Sequence, residues 1–281
     1  MTARVVVASD SHFSDRTPEA DRNWSAVLRH VEARRPDLVV HVGDVTVDGA
    51  HHPAELGLAR QRLDEIPVPW RVVPGNHDVG DNPTGEAADD DVTSGRVAEW
   101  VRVFGADHWL AEVGAWRVLG VDAQLFGSGT AAEDDQWAFL EDGLREEHRT
   151  VLVTHKPLTA ADDELATAPP YRFLPSPIRT RLIELCRAGG VELVLSGHVH
   201  QQRRLEAAGM WHHWVTTTWA VLPDWLQAPV GVKRCGLLEL ALPSDGAGPQ
   251  AVFVEPAGMA QLTLGENVPS PYEPSAGEPA V

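Results

Sequence analysis

Short β-branched apolar runs at residues 5–8, 38–42, 71–73, 116–121, 151–154 and 191–196 alternate with stretches whose apolar residues recur every three or four positions. Runs of this length, bounded by polar and turn residues, predict buried strands. Between the first two, Trp24, Val27, Leu28 and Val31 fall at i, i+3, i+4 and i+7, one face of a helix. Asp21 is the expected N-cap of that helix, and Pro36 lies beyond its end. Leu56, Leu63 and Ile66 predict a second helix before Pro67, Trp137, Leu140 and Leu144 a third, and Ile178, Leu182 and Leu185 a fourth that stops near Gly189 and Gly190. Strand–helix alternation of this kind predicts an α/β fold with helices covering the sheet.

Past residue 200 the pattern changes. Leu205 and residues 211–218, 236–242 and 251–254 read as strands with no long helix between them, which predicts a second, largely antiparallel sheet packed on the first. Residues 80–95 hold Asp81, Glu86, Asp89, Asp90 and Asp91 with little apolar content and are expected to form an exposed loop. Pro269, Pro271, Pro274 and Pro279 punctuate an apolar-poor end, so a folded domain of residues 1–264 is expected to precede a disordered tail of residues 265–281.

Composition narrows the partners. Of the 281 residues 43% are hydrophobic, enough for a sizeable core, and 41 Asp and Glu against 23 Lys and Arg leave a formal charge of −18. Sequence-independent nucleic-acid binding needs a basic face, so nucleic acid is not an expected partner. The apolar run after Arg4 is too short for a signal peptide, and no stretch approaches the roughly 20 apolar residues that span a bilayer. A cytoplasmic location without a membrane partner is therefore expected; the oligomeric state stays open, a homodimer included. Cys186 and Cys235 form no CxxC pair and are expected to be buried thiols.

The residues just past each strand carry the chemistry. Residues 5–8 run into Asp10-Ser11-His12, and 38–42 into Gly43-Asp44-Val45-Thr46-Val47-Asp48-Gly49. Residues 71–73 run into Gly75-Asn76-His77-Asp78, 151–154 into His155-Lys156-Pro157, and 191–196 into Gly197-His198-Val199-His200. If the strands are parallel, these groups meet at one edge, where open α/β sheets place their ligands. Asp10, His12, Asp44, Asn76, His155, His198 and His200 then converge as oxygen and nitrogen donors. Such a set suits two divalent ions such as Mn²⁺, Fe²⁺ or Zn²⁺ and lacks the thiolates of a structural zinc site. Any one motif arises by chance, but five in this order at matching strand ends do not. Two such ions provide a metal-bridging hydroxide near neutral pH and leave the site at about +1, which attracts a phosphoester despite the acidic surface.

In order and spacing these motifs resemble the calcineurin-like metallophosphoesterases, over residues 5–200. The resemblance implies an α/β fold, a four-layer α/β/β/α sandwich of two mixed sheets with two metals at its centre. It implies that Asp10, His12 and His200 bind one ion, that Asn76, His155 and His198 bind the other, and that Asp44 bridges both. It makes His77 the catalytic histidine outside the metal ligands, able to protonate the leaving oxygen, with Asp78 positioned to orient it. The chain is similar to the class III cyclic-nucleotide phosphodiesterases. The superfamily's protein phosphatases carry GNHE, whereas Asp78 stands at that place here, and no accompanying phosphate-clamping arginine is legible. Small phosphodiesters such as cyclic nucleotides or glycerophosphodiesters are thus the expected substrates. A phosphomonoesterase or protein phosphatase is the alternative within enzymes, and a metal-binding scaffold of the same fold is the alternative outside them.

Other residues stay outside this set. His41, inside an apolar strand, is expected to be buried structure. His51-His52 and His212-His213 are adjacent pairs; in a strand, neighbours face opposite ways and cannot easily share an ion, so only a pocket-lining role is left open for them. Trp219 and Trp225 follow the last ligand, with packing expected ahead of base stacking, and Arg203-Arg204 is expected to be an exposed pair, with a substrate-phosphate contact as the alternative.

Overall fold

The computed structural model, which describes residues 2–83, 88–161, 165 and 169–271, sorts the strands into two sheets. In the first, β1 (Thr2–Ala8), β2 (Leu38–His41) and β3 (Trp70–Val72) run parallel, Val5 facing Leu38 and Val39 facing Trp70. The second holds β4 (Trp109–Val113), β5 (Trp116–Val121), β6 (Thr150–Thr154), β7 (Val191–Ser196), β8 (Arg203–Ala207) and β9 (Met210–Trp214) in the order β4-β5-β6-β7-β9-β8. There β5, β6, β7 and β9 are parallel, while β4 and β8 are antiparallel edges.

The period of two along each strand sets the layers. In β1, Val5 and Val7 meet Val118, Val151, Val153 and Leu195 of the second sheet, and this shared cluster is the centre of the molecule. Val6 and Ala8 point the other way, onto Trp24, Val27 and Val31 of α1 (Pro18–Arg34) and Leu56 and Leu63 of α2 (Ala54–Asp64). On the far side Leu119, Leu152 and Val194 pack against helices whose labels follow the short α3 (Asn76–Val79) and α4 (Ser94–Phe104). These are α5 (Ala131–Gly143), with Trp137 and Leu140, and α6 (Ser176–Ala188), with Leu182 and Cys186. The result is the α/β/β/α sandwich of two mixed sheets.

Two expectations change, and one helix is added. The late strands do not make a separate antiparallel sheet: β8 and β9 extend the second sheet, with β9 parallel to β7. Strands β10 (Leu237–Pro243) and β11 (Gln250–Val254) extend the first, β10 lying antiparallel to β1. Helix α1 starts three residues before Asp21, because Pro18 supplies a helical φ at its first turn. Asp21 instead clasps the Arg62 guanidinium of α2 at 2.6 and 2.7 Å. Within the expected tail, residues 265–271 are placed: Leu264 bridges Val268, whose side chain is buried against the α1 side of the core, and Pro271 O accepts from Arg16. Residues 272–281 lie outside the described part. Helix α4, which the apolar pattern does not predict, is capped by Thr93, whose side chain accepts from Arg96 N, and buries Val97 and Trp100. Cys186 and Cys235 are buried free thiols, as expected. Among the described residues, no helix is long and apolar enough to cross a membrane.

Candidate metal centre

The C-terminal ends of the parallel strands in both sheets face the same region, so the polar residues after them converge from two sheets rather than one. Asp10 and His12 follow β1, Asp44 follows β2, Asn76 follows β3, His155 follows β6, and His198 and His200 follow β7. Backbone bonds between loops fix the register: Asp10 N donates to Gly43 O at 3.0 Å, and His12 N to Asp44 O at 3.1 Å. Asp10, His12, Asp44, His198 and His200 all have φ between 46° and 69°, in the left-handed region that side chains avoid. Each such residue costs of order 1–3 kcal/mol, and strain of this kind concentrates where function holds a geometry.

The ligand atoms fall into two groups. Asp10, His12 and His200 form one, and Asp44, His155 and His198 the other. In the first, His12 Nε2 lies 3.1 Å from His200 Nε2, which is 3.3 Å from Asp10 Oδ1. In the second, His155 Nε2 lies 3.1 Å from Asp44 Oδ2, and that same oxygen is 3.9 Å from His12 Nε2. Asp44 thus faces both groups. Backbone carbonyls set the tautomers: His200 Nδ1–H donates to Ala220 O (2.6 Å) and His155 Nδ1–H to Val42 O (2.8 Å), which turns Nε2 of each ring inward. His198 donates from Nε2 to Tyr171 O (3.2 Å) and so offers Nδ1. The Asn76 side-chain oxygen is buried without a hydrogen-bond partner. Two carboxylates at 0–1% exposure, an orphaned amide oxygen and imidazole lone pairs are what divalent cations take, so the residues fit two such ions.

The electrostatics agree. Burial presses His12 well below the ordinary imidazole range, with His77 adding to it, and burial and His155 do the same to His198. At His155 burial is outweighed by the Asp44 and Asp10 carboxylates, which raise the ring to about 9; at His200 Asp10 outweighs burial in the same way. Burial disfavours the Asp44 carboxylate, yet His155 and His77 hold it well below its usual range.

His77 stands beside the two groups, its ring 4.9 Å from that of His12 and its backbone N–H donating to Asp44 Oδ1 at 2.9 Å. Its Nδ1–H donates to Val47 O at 2.7 Å, which aims Nε2 away from the loop. Asp78 does not hold that ring. Its carboxylate accepts from Gly75 N, Val45 N, Thr46 N and the Thr46 hydroxyl, tying the loops after β2 and β3 together. Burial and Asp44 push Asp78 up to about 6.

Residues 3–202 match the sequence family described as calcineurin-like phosphoesterase. The chain belongs to that family. Among curated relatives, the human "Serine/threonine-protein phosphatase CPPED1" is 28% identical over 148 residues, 48% of this chain and 42% of the relative. A "Probable glycerophosphodiester phosphodiesterase GpdQ" of Arcobacter nitrofigilis is 27% identical over 173 residues, 59% and 58% of the two chains. The chain thus spans about half the length of the curated relatives it matches. Its fold is similar to that of the purple acid phosphatase PPD1 from yellow lupin seeds, with a TM-score of 0.62, 16% identity, and coverage of 90% of this chain and 53% of that one.

A cavity opens above the donors. That cavity, of about 220 Å³, is lined by His12, Asp44, Asn76, His77, His198 and His200 together with Tyr171, Arg172, Trp219, Leu222 and Gln227. Trp219 packs in the core with its ring 5.2 Å from that of His12, whereas Trp225 is 59% exposed and is not among the lining residues. Tyr171 and Arg172 come from a short 3₁₀ turn over residues 170–172, and Leu222 and Gln227 from loops, none with a periodic apolar signal. His51 and His52 line a neighbouring cavity of about 690 Å³ that shares Asn76 and His77. His41 is buried and hydrogen-bonded to Ser11, and His212 and His213 are buried in β9, outside both cavities. Arg203 and Arg204 lie over the rings of Trp214 and Trp211 rather than at the site.

Proposed function

We propose that this protein hydrolyses phosphoesters at a dinuclear divalent-metal centre, with small phosphodiesters as its preferred substrates. The observation that carries the reading is Asp44, a buried carboxylate whose Oδ2 faces the ligand atoms of both groups, at 3.1 Å from His155 and 3.9 Å from His12. In this reading Asp10, His12 and His200 hold one ion, Asn76, His155 and His198 hold the other, and Asp44 is shared. Bound divalent ions supply Lewis acidity, which activates water and offsets phosphoryl charge.

The chain supplies the rest. The ring held at Val47 O lets His77, when protonated, donate from Nε2 to the leaving oxygen while Nδ1 stays fixed. Asp78 keeps that loop against the Asp44 loop through backbone bonds, and so acts by positioning. Buried Trp219 and half-buried Leu222 form an apolar wall of the cavity over the donors.

Diester preference is supported by the chain's charge of −18, which penalises a dianion more than a monoanion, and by the name of the GpdQ relative. The name of the CPPED1 relative favours the second reading, a phosphomonoesterase or protein phosphatase. The test is metal analysis after loading with Mn²⁺, followed by hydrolysis of bis(p-nitrophenyl) phosphate against p-nitrophenyl phosphate. Close to two ions per chain and a higher kcat/KM for the diester are expected. A preference for the monoester puts the second reading first, and a loaded protein that cleaves neither is a scaffold.

A further inference from the structure

We propose that Arg172 recognises a carboxylate on the organic part of the substrate, one group away from the scissile phosphorus. The inference rests on the phosphoester reading of the site below it. Within the cavity the buried ligands form the floor, His12 and Asp44 at 1% and His200 at 6% exposure, whereas Tyr171, at 52%, marks the rim. Arg172 is the one Lys or Arg among the described residues that line this cavity. The rest of the lining outside the donors and His77, namely Tyr171, Trp219, Leu222 and Gln227, is uncharged.

Two observations make Arg172 a built feature. Among the described residues its guanidinium has no ion-pair or hydrogen-bond partner; the exposed Arg22, Arg29 and Arg187 share that state, but Arg172 is half-buried and lines the cavity over the donors. In a chain this acidic, a cation left unpaired beside a buried anion-binding floor is set out for a ligand. Its backbone is also fixed on both sides. Arg172 N donates to Pro169 O at 3.0 Å, closing a turn, and Tyr171 O accepts from His198. Phe173 and Leu174 are buried, Phe173 with its ring 6.0 Å from that of Trp214. The reacting phosphoryl group is met by the floor and His77, so the anion met by a rim cation belongs to the rest of the substrate. A planar guanidinium matches a carboxylate in a bidentate fork, and a cavity of about 220 Å³ admits a compact substrate of that kind.

O-phosphoserine and O-phosphoethanolamine differ by one carboxylate, as do their glycerol diesters, glycerophosphoserine and glycerophosphoethanolamine. Calorimetric titration of the manganese-loaded full chain should show O-phosphoserine bound about 10- to 100-fold more tightly, the range of one charge-assisted contact. Arg172→Gln should collapse that ratio to within about 3-fold, and Arg172→Lys should keep part of it, because the charge remains while the fork is lost. In turnover of the two diesters the difference should fall on KM rather than kcat. Equal binding of the two monoesters by the wild type, no binding of either, or an equal loss for both in Arg172→Gln overturns the proposal; the last result would put Arg172 on the scissile phosphoryl group. If the binding ratio behaves as expected but neither diester is cleaved, the Arg172 assignment stands and the hydrolase reading fails.

Discussion

Gly75→Ala tests the site without touching a ligand. Gly75 has an ordinary φ of −111°, so alanine fits its backbone. A Cβ there would lie 2.1 Å from Asp44 Oδ1, 2.4 Å from Asp44 N and 2.8 Å from Asp44 Cγ. Non-bonded contacts of this kind settle at about 3.5 Å, so the carboxylate must withdraw by more than about 1 Å. Because the Asp44 backbone nitrogen is also in the way, side-chain rotation alone does not relieve the overlap, and the loop after β2 has to move. That movement breaks the 2.9 Å bond from His77 N to Asp44 Oδ1 and pulls Oδ2 from its place between His155 and His12. Overpacking of this kind costs about 1–3 kcal/mol of stability, or about 2–12 °C in Tm for a domain of this size. Metal affinity should fall about 10- to 100-fold, and kcat by about 100-fold. Metal stoichiometry after equilibrium dialysis against Mn²⁺, turnover of bis(p-nitrophenyl) phosphate, and far-UV circular dichroism read these out. Gly57→Ala is the control: its Cβ meets nothing within 4 Å in the middle of α2, and it should add about 0.5–1 kcal/mol. A Gly75→Ala protein that binds two ions with wild-type affinity and turns over normally would refute the placement of Asp44 at the centre.

Asp44→Ala should abolish metal binding and turnover together, since the carboxylate faces both groups; two tightly bound ions in that variant would remove it from the shared position. His77→Ala should keep its metal while kcat falls about 10²- to 10⁴-fold, and loss of metal in it would make His77 a ligand instead. Burial, then Arg204, lowers His213 to about 4, so the unfolded chain binds its proton first and wild-type stability is present above about pH 6.5 and lost as pH falls toward 4. His213→Phe removes that proton, and urea titrations should show wild type losing about 1 kcal/mol more than the variant between pH 7.5 and 5.5; equal losses would mean that His213 is protonated in the fold.

How the protein folds and what it binds were written into the chain to different depths. The buried strands, helices α1, α2, α5 and α6, and the seven candidate donors were legible from local pattern: a β-branched run followed by Asp, Asn or His reads as a strand with a polar group at its end wherever that strand is placed. The amphipathic faces of α1, α2, α5 and α6 were legible for the same reason, since a period of 3.6 needs no knowledge of the partner. Which sheet a strand joins was not. Strands β9 and β10 carry the same kind of apolar run, yet β9 pairs with β7 and β10 with β1, because main-chain hydrogen bonds are alike at every edge and only global packing decides between them. The same holds for contacts made by single side chains from loops. Asp21 reaches Arg62 of another helix, Asp78 serves backbone amides rather than the His77 ring, and Arg172 comes to the rim only because Phe173 and Leu174 are buried beside it. The residues at strand ends were fixed by periodicity along the chain. Those that surround the reacting group were chosen by distance in space, which depends on how two sheets close on one another.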